Sequence, residues 1–384
     1  MIEEKRKNTE TGKGGRRFSR LSLILVGMVV VTIVCCFIWQ KCLWNVGSID
    51  EQLAAIDAEL AIPDAENAAV YYTRLLTDPN NTSALDDLSS YTPSAYIEPW
   101  DGSEHPELAA LLKTHSTFIQ TLLDISEMQE ARFPIYPDPS SISFTLADMR
   151  RVTFILSWAV ANDLAEGRID AAYSKYRCQL KFARQIYQQP AMLYRYVGIA
   201  IESVALGNIR RAVMRDDITS EQLRSLEMIL ETPKNLNEVD AEIAAKVNRL
   251  IPNKQLSQMS ISWRLRRLWF GHEELKEQER KQRLLHLRRD ATRRATPILI
   301  ALRRHKEKTG AWPETLEQIE PKLPEQMLID PQNNGPFVYK RDGDEFVFYS
   351  KGPNGIDEDG IASKPADDYP MWPLKIKKIP AGEQ

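Results

Sequence analysis

Leu21 to Trp39 read LSLILVGMVVVTIVCCFIW, a run with no charged residue that is just long enough to cross a bilayer as a helix. That run dictates a membrane protein. Seven bases precede it (Lys5, Arg6, Lys7, Lys13, Arg16, Arg17 and Arg20), and only Lys41 follows closely. The positive-inside rule therefore places the N-terminus in the cytoplasm and the chain from Gln40 onward outside it. A cleaved signal peptide would have a shorter apolar core ending in small residues, whereas Trp39, Gln40, Lys41, Cys42, Leu43 and Trp44 follow here. The expectation is an uncleaved single-pass signal anchor in the inner (cytoplasmic) membrane, with Trp39 and Trp44 at the interface. A buried core helix is the weaker alternative, because it gives no reason for the basic flank.

The rest must build a core without a disulfide framework, since Cys35 and Cys36 lie in the apolar run and only Cys42 and Cys178 remain. Hydrophobic residues make up 43% of 384, enough for such a core. Net charge is −3, unevenly spread: residues 264–308 hold fifteen bases against six acids, leaving the remainder acidic.

Helical periodicity dominates from Ile49. A short amphipathic helix spans Ile49 to Ala61, and a second begins near Ala65. Thr77 to Pro106, rich in Asp, Asn, Ser and Pro, reads as loop with a single short helical turn. Glu107 to Glu130 carries an apolar stripe on which His115 falls, and a lone histidine there reads as a core residue rather than a ligand. Three helices then follow closely, Phe144 to Glu166, Ile169 to Gln188 and Ala191 to Met214, the last apolar nearly all round and so central in a bundle. Glu202 is its one acid; burial would demand a cation, with Arg195, Arg210 and Arg211 as nearby choices. Ser220 to Leu230 and Asn237 to Ile251 are further helices, with Pro252 to Ser260 a linker.

Trp263 to Lys308 is a long charged helical region interrupted near Gly271. Its bases suit anionic lipid or an acidic partner, but Glu273, Glu274, Glu277 and Glu279 interleave with them as on a solvated helix. An extracytoplasmic position argues against nucleic acid as partner.

After Thr309-Gly310 and the Trp312-Pro313 turn, Phe337 to Lys340 and Glu345 to Ser350 flank Arg341-Asp342-Gly343-Asp344 as a hairpin. With Asp330-Pro331, Gly335-Pro336-Phe337-Val338-Tyr339, and Tyr349-Ser350-Lys351-Gly352-Pro353-Asn354-Gly355 leading to Asp367-Asp368, this order resembles the globular part of type II secretion pseudopilins, above all the major one. The resemblance covers roughly a quarter of the chain. It implies a small α+β module, a secretion-type assembly as partner, and calcium as cofactor in the acidic loop, where Asn354, Asp357, Asp359 and Asp368 supply oxygens of the kind a hard cation takes. A solvated acidic loop is the alternative. An EF-hand register fails, because Gly355 and Ala366 fall where its first and last acids belong. No prepilin peptidase site precedes Leu21, and some 250 residues separate the apolar helix from the module, so a polymerising pilin subunit is not expected. The middle region, with Gly167-Arg168, Ala171-Ala172 and Pro190 to Leu193, is similar to uncharacterised single-pass bacterial envelope proteins with a helical domain.

No G-x-S-x-G elbow, P-loop or Rossmann fingerprint is present, and the histidines at 105, 115, 272, 286 and 305 have no metal-ligand spacing. No catalytic or cofactor-binding residue is assigned. The expected fold is mainly α with a small α+β C-terminal module: a basic tail (1–20), a transmembrane anchor (21–39), an extracytoplasmic helical bundle (47–260), a charged helical connector (261–308) and a pseudopilin-like module with a short antiparallel sheet (290–384). The expected function is a non-enzymatic structural or protein-interaction role in the envelope. The alternative is an extracytoplasmic enzyme or ligand binder with a cleft between bundle and module.

Overall fold

Three consecutive helices, α6 (Leu146–Ala165), α7 (Ile169–Tyr187) and α8 (Met192–Val213), are joined by turns too short to do anything but fold them back on one another. Asp163 pins the first turn, its carboxylate accepting from Arg168 at 2.8 Å and Lys175 at 2.6 Å. At Gly198 the backbones of α7 and α8 nearly touch. A Cβ there would lie 2.7 Å from the Tyr187 nitrogen and 2.8 Å from the Ala183 oxygen, so only glycine permits the approach.

The computed structural model describes residues 48–89, 98–135, 146–231, 241–258, 261–319, 322–362 and 367–374, together with Val31, Thr32 and Val34. The expected tail (1–20), Cys42 and most of the expected anchor (21–39) lie outside the described residues. Val31, Thr32 and Val34 are helical, and no helix among the described residues is long and apolar enough to cross a membrane. Cys178 is a buried free thiol, and that burial pushes its pKa up to about 12.

Around this trio lie α1 (48–59), α2 (Ala68–Thr77), α3 (Pro79–Ser89), α4 (Pro106–Thr114), α5 (Ser116–Ser126), α9 (Ser220–Leu230) and α10 (Ala241–Gln258). Asn67 caps α2 by accepting from Ala69 N at 3.0 Å, and it also binds both backbone groups of Arg132, stitching 130–135 onto the helix. A capping box, Thr219 with Gln222, starts α9. Inside the trio a polar layer fixes the register: Gln179 donates to Thr153 O at 2.8 Å and Ser157 Oγ at 2.9 Å, and Asn208 donates to the same Oγ at 2.9 Å.

Three expectations change. The stretch expected to be loop contains α3, eleven residues begun by Pro79, whose missing N–H costs nothing at a first turn. Residues 252–258 of the expected linker belong to α10, which carries Pro252 inside it, and 259–260 lie outside the described residues. The long helix α11 (Ile261–Thr309) runs through Gly271 without a break.

The sheet is antiparallel, in the order β1 (Val338–Asp342), β2 (Glu345–Ser350), β3 (Tyr369–Trp372). Its apolar face, Phe337, Phe346, Phe348 and Met371, shares one core with Leu206, Ile209 and Val213 of α8 and with Ile298, Leu299 and Leu302 of α11. A second core gathers α1 to α5 against the other end of the trio. Each of these large apolar side chains contributes about 1.5–3 kcal/mol on burial, so module and bundle are held together by the same force that holds each. The fold is mainly helical with a small three-stranded sheet.

Candidate functional site

The acidic loop leaves β2 through Gly352, which has φ +62; a Cβ there would fall 2.3 Å from Asp367 Oδ1. Only glycine lets the loop close on itself. Within it the four residues singled out by sequence take different positions. Asp357 and Asp359 bracket the ammonium of Lys340 from β1, at 3.1 and 2.8 Å. Tyr349 also donates to Asp357 at 2.6 Å. Burial pushes Asp357 upward, but these bonds outweigh it and hold its carboxyl below the usual range. Asn354 is spent locally, accepting from Ile356 N at 2.6 Å and donating to Glu358 at 2.9 Å.

Asp368 behaves otherwise. Its residue is 1% exposed; Oδ2 accepts from the backbone of Glu358 at 2.9 Å and of Gly360 at 2.8 Å. Oδ1 is buried with no hydrogen-bond partner among the described residues, and the same is true of Asp367 Oδ1. Desolvation raises both pKa values, and the Glu358 charge adds to it. Glu358 itself is drawn into the pair by the Asp367 amide, which donates to it at 3.0 Å.

Carboxylate oxygens without a hydrogen bond are donors of the kind a hard cation takes. Asp357 and Asp359 share the Lys340 ammonium, whereas Asp367 and Asp368 each keep one oxygen without a hydrogen-bond partner among the described residues. As the side chains stand, no three His, Cys, Asp or Glu residues among those described are arranged as a metal-ready group. Asp367 was visible in the sequence only as part of the resemblance, and its orphaned oxygen has no signature there.

Below the loop, Asp330 is fully buried and accepts from Ser350 Oγ at 2.6 Å, Asn333 at 2.7 Å and Gln332 N at 2.9 Å. This knot ties the Asp330-Pro331 turn to the end of β2. His115 sits at the junction of α4 and α5, 3.1 Å from Asp87, with a side chain 12% exposed.

Glu202 is buried in α8, as expected of the one acid there, but its cations come from α11: Arg289 at 2.5 Å and Arg293 at 3.5 Å. Of the arginines nearer in sequence, Arg195 donates to Gln189 O, Arg211 reaches Glu98, and Arg210 turns to the sheet. Arg210 is buried and donates to the Met371 carbonyl of β3 at 3.2 Å. Comparison with protein-family models, with curated proteins and with solved structures gives no match.

Proposed function

We propose that the chain is a non-enzymatic, membrane-anchored envelope protein of structural or protein-interaction role. Its 21–39 segment is the single-pass anchor, and its helical body carries the pseudopilin-like module as a fixed docking head for an envelope or secretion-type assembly. Calcium is the cofactor, and Asp367, Asp368 and Glu358 turn together to hold it; it locks the loop by neutralising carboxylates that otherwise repel one another. The observation that carries this reading is the seam between body and module. Apolar side chains of β1 to β3 interdigitate there with α8 and α11, and the buried Arg210 satisfies a strand carbonyl across it. A seam filled this way favours a scaffold over an enzyme working in a cleft between the two parts.

Ile356, at the tip of the acidic loop and 61% exposed, is the apolar point such a head presents to a partner. The test is photo-crosslinking in the native envelope, with a photoreactive phenylalanine analogue at Ile356 and a control at the equally exposed Met228 of α9. The expected result is a discrete adduct at 356 alone, weakened by chelator. Equal labelling at both positions would overturn the docking head.

A further inference from the structure

Where α7, α8, α9 and α11 meet, a partly enclosed cavity of about 40 Å³ is lined by Arg184, Arg289, Arg293 and Glu202 among apolar neighbours such as Leu206 and Ile229. Three guanidinium groups and one carboxylate line it. Glu202 serves Arg289 and Arg293, and Asp290, outside the cavity lining, lies 3.8 Å from Arg289, but Arg184 makes no side-chain hydrogen bond or ion pair among the described residues. Burial disfavours its charged form, and the charges of Arg293 and Arg289 add to that more than Glu202 relieves it. A guanidinium does not escape by losing its proton, so the cavity keeps the Arg184 charge with no hydrogen-bonded counter-ion among the described residues. Arg289 is held in place from behind: its guanidinium carbon lies 3.7 Å from the centre of the Tyr187 ring, and the Tyr187 hydroxyl lies 3.2 Å from His286 Nδ1.

We propose that this cavity is a binding site for a phosphate dianion, free or as the end of a phosphomonoester. The donor set selects it, since three guanidinium groups line one small space and offer more N–H donors than the two free oxygens of a carboxylate or a phosphodiester can accept, whereas a phosphate dianion presents three. The space agrees: room for about three waters suits one tetrahedral oxyanion and excludes an organic body, which would have to project through the open side. The chemistry agrees as well, because converging planar forks are what phosphate oxygens take. This site is separate from the acidic loop and does not depend on calcium or on the docking head.

The test is calorimetric titration of the purified full-length chain with inorganic phosphate at low ionic strength, followed by glycerol 3-phosphate and by acetate. One saturable site for phosphate is expected, with acetate far weaker. Retained binding of the ester identifies a monoester site, and its loss identifies free phosphate. Arg184→Met removes one charge-assisted pair and weakens phosphate about tenfold to hundredfold. Glu202→Gln removes the competing anion and has the opposite effect: a less stable protein that binds phosphate more tightly, which a purely structural role for Glu202 would not produce. If Arg184→Met does not fold, Arg184→Lys keeps stem and charge but loses the fork, and weaker binding is still expected. Absence of saturable phosphate binding by the folded wild type, or undiminished affinity in a folded Arg184 variant, overturns the proposal.

Discussion

The acidic loop packs five carboxylates, Asp357, Glu358, Asp359, Asp367 and Asp368, into twelve positions of sequence, whereas the arginine cavity collects its four charges at 184, 202, 289 and 293 from three helices. In the loop, neighbours along the chain cannot all leave water, so most stay near solvent, and Asp357 and Asp359 share a surface lysine. In the cavity, helix packing withdraws Glu202 and Arg289 to about one-tenth side-chain exposure. Exposed pairs are worth little and buried ones are costly to break. A high density of charge along the sequence therefore marks the cheaper of the two regions.

Glu202→Gln breaks that contrast most directly. Removing one partner of a buried pair leaves its cations uncompensated, at a cost of about 3–5 kcal/mol, read by urea unfolding of the full-length chain without phosphate. A loss below about 1 kcal/mol would mean that the cavity is as wet as the loop. Gly198→Ala comes next. Its methyl group would strike the α7 backbone one residue from Arg184 and one turn from Glu202, costing about 1–3 kcal/mol as the helices separate. The cavity widens with them, so phosphate affinity falls together with stability.

The same contrast explains what could be read ahead of the structure. The trio α6 to α8 is legible because periodicity and turn residues agree over long stretches, and α9 because Ser220 opens a helical run to Leu230. Helix α3 was missed because Asn, Ser and Asp favour turns locally, while Ala84 and Leu85, both buried, supply the tertiary contacts that override them. Gly271 looked like a break because glycine lowers helix propensity, by about 1 kcal/mol, which a helix as long as α11 absorbs. The burial of Glu202 followed from its apolar helix. Its partners did not, since nothing local places 289 and 293 opposite 202; only the packing of α11 on α8 does.

Asp368 tests the loop from its buried side. Burial raises its folded pKa above the ordinary 3.8, so in chelator its contribution to stability is fully present below that value and is lost as pH rises through the folded pKa. Asp368→Asn removes the penalty. In chelator the variant and wild type should melt alike near about pH 4, with the variant pulling ahead by about 2–4 °C near neutrality. Calcium at neutral pH should reverse the order by stabilising the wild type alone. Wild-type melting that ignores calcium would remove the cation site, and a variant with no neutral-pH advantage would show that Asp368 is solvated after all.

The smallest effect is expected at Asp359, whose charge stood out in the sequence as clearly as that of Asp368. Its side chain is 83% exposed, and its partner Lys340 keeps a second contact, at 3.1 Å, with Asp357. Its backbone is left-handed, with φ +56, a conformation that asparagine tolerates as well as aspartate. Asp359→Asn therefore adds no strain, removes one screened ion pair, and should change stability by no more than about 0.5 kcal/mol, with the calcium response intact. Loss of that response would instead put Asp359 among the ligands and return the loop to the set of residues its sequence first suggests. It would also mean that Lys340 gives way when the metal binds, because the two cations would then compete for the same oxygen.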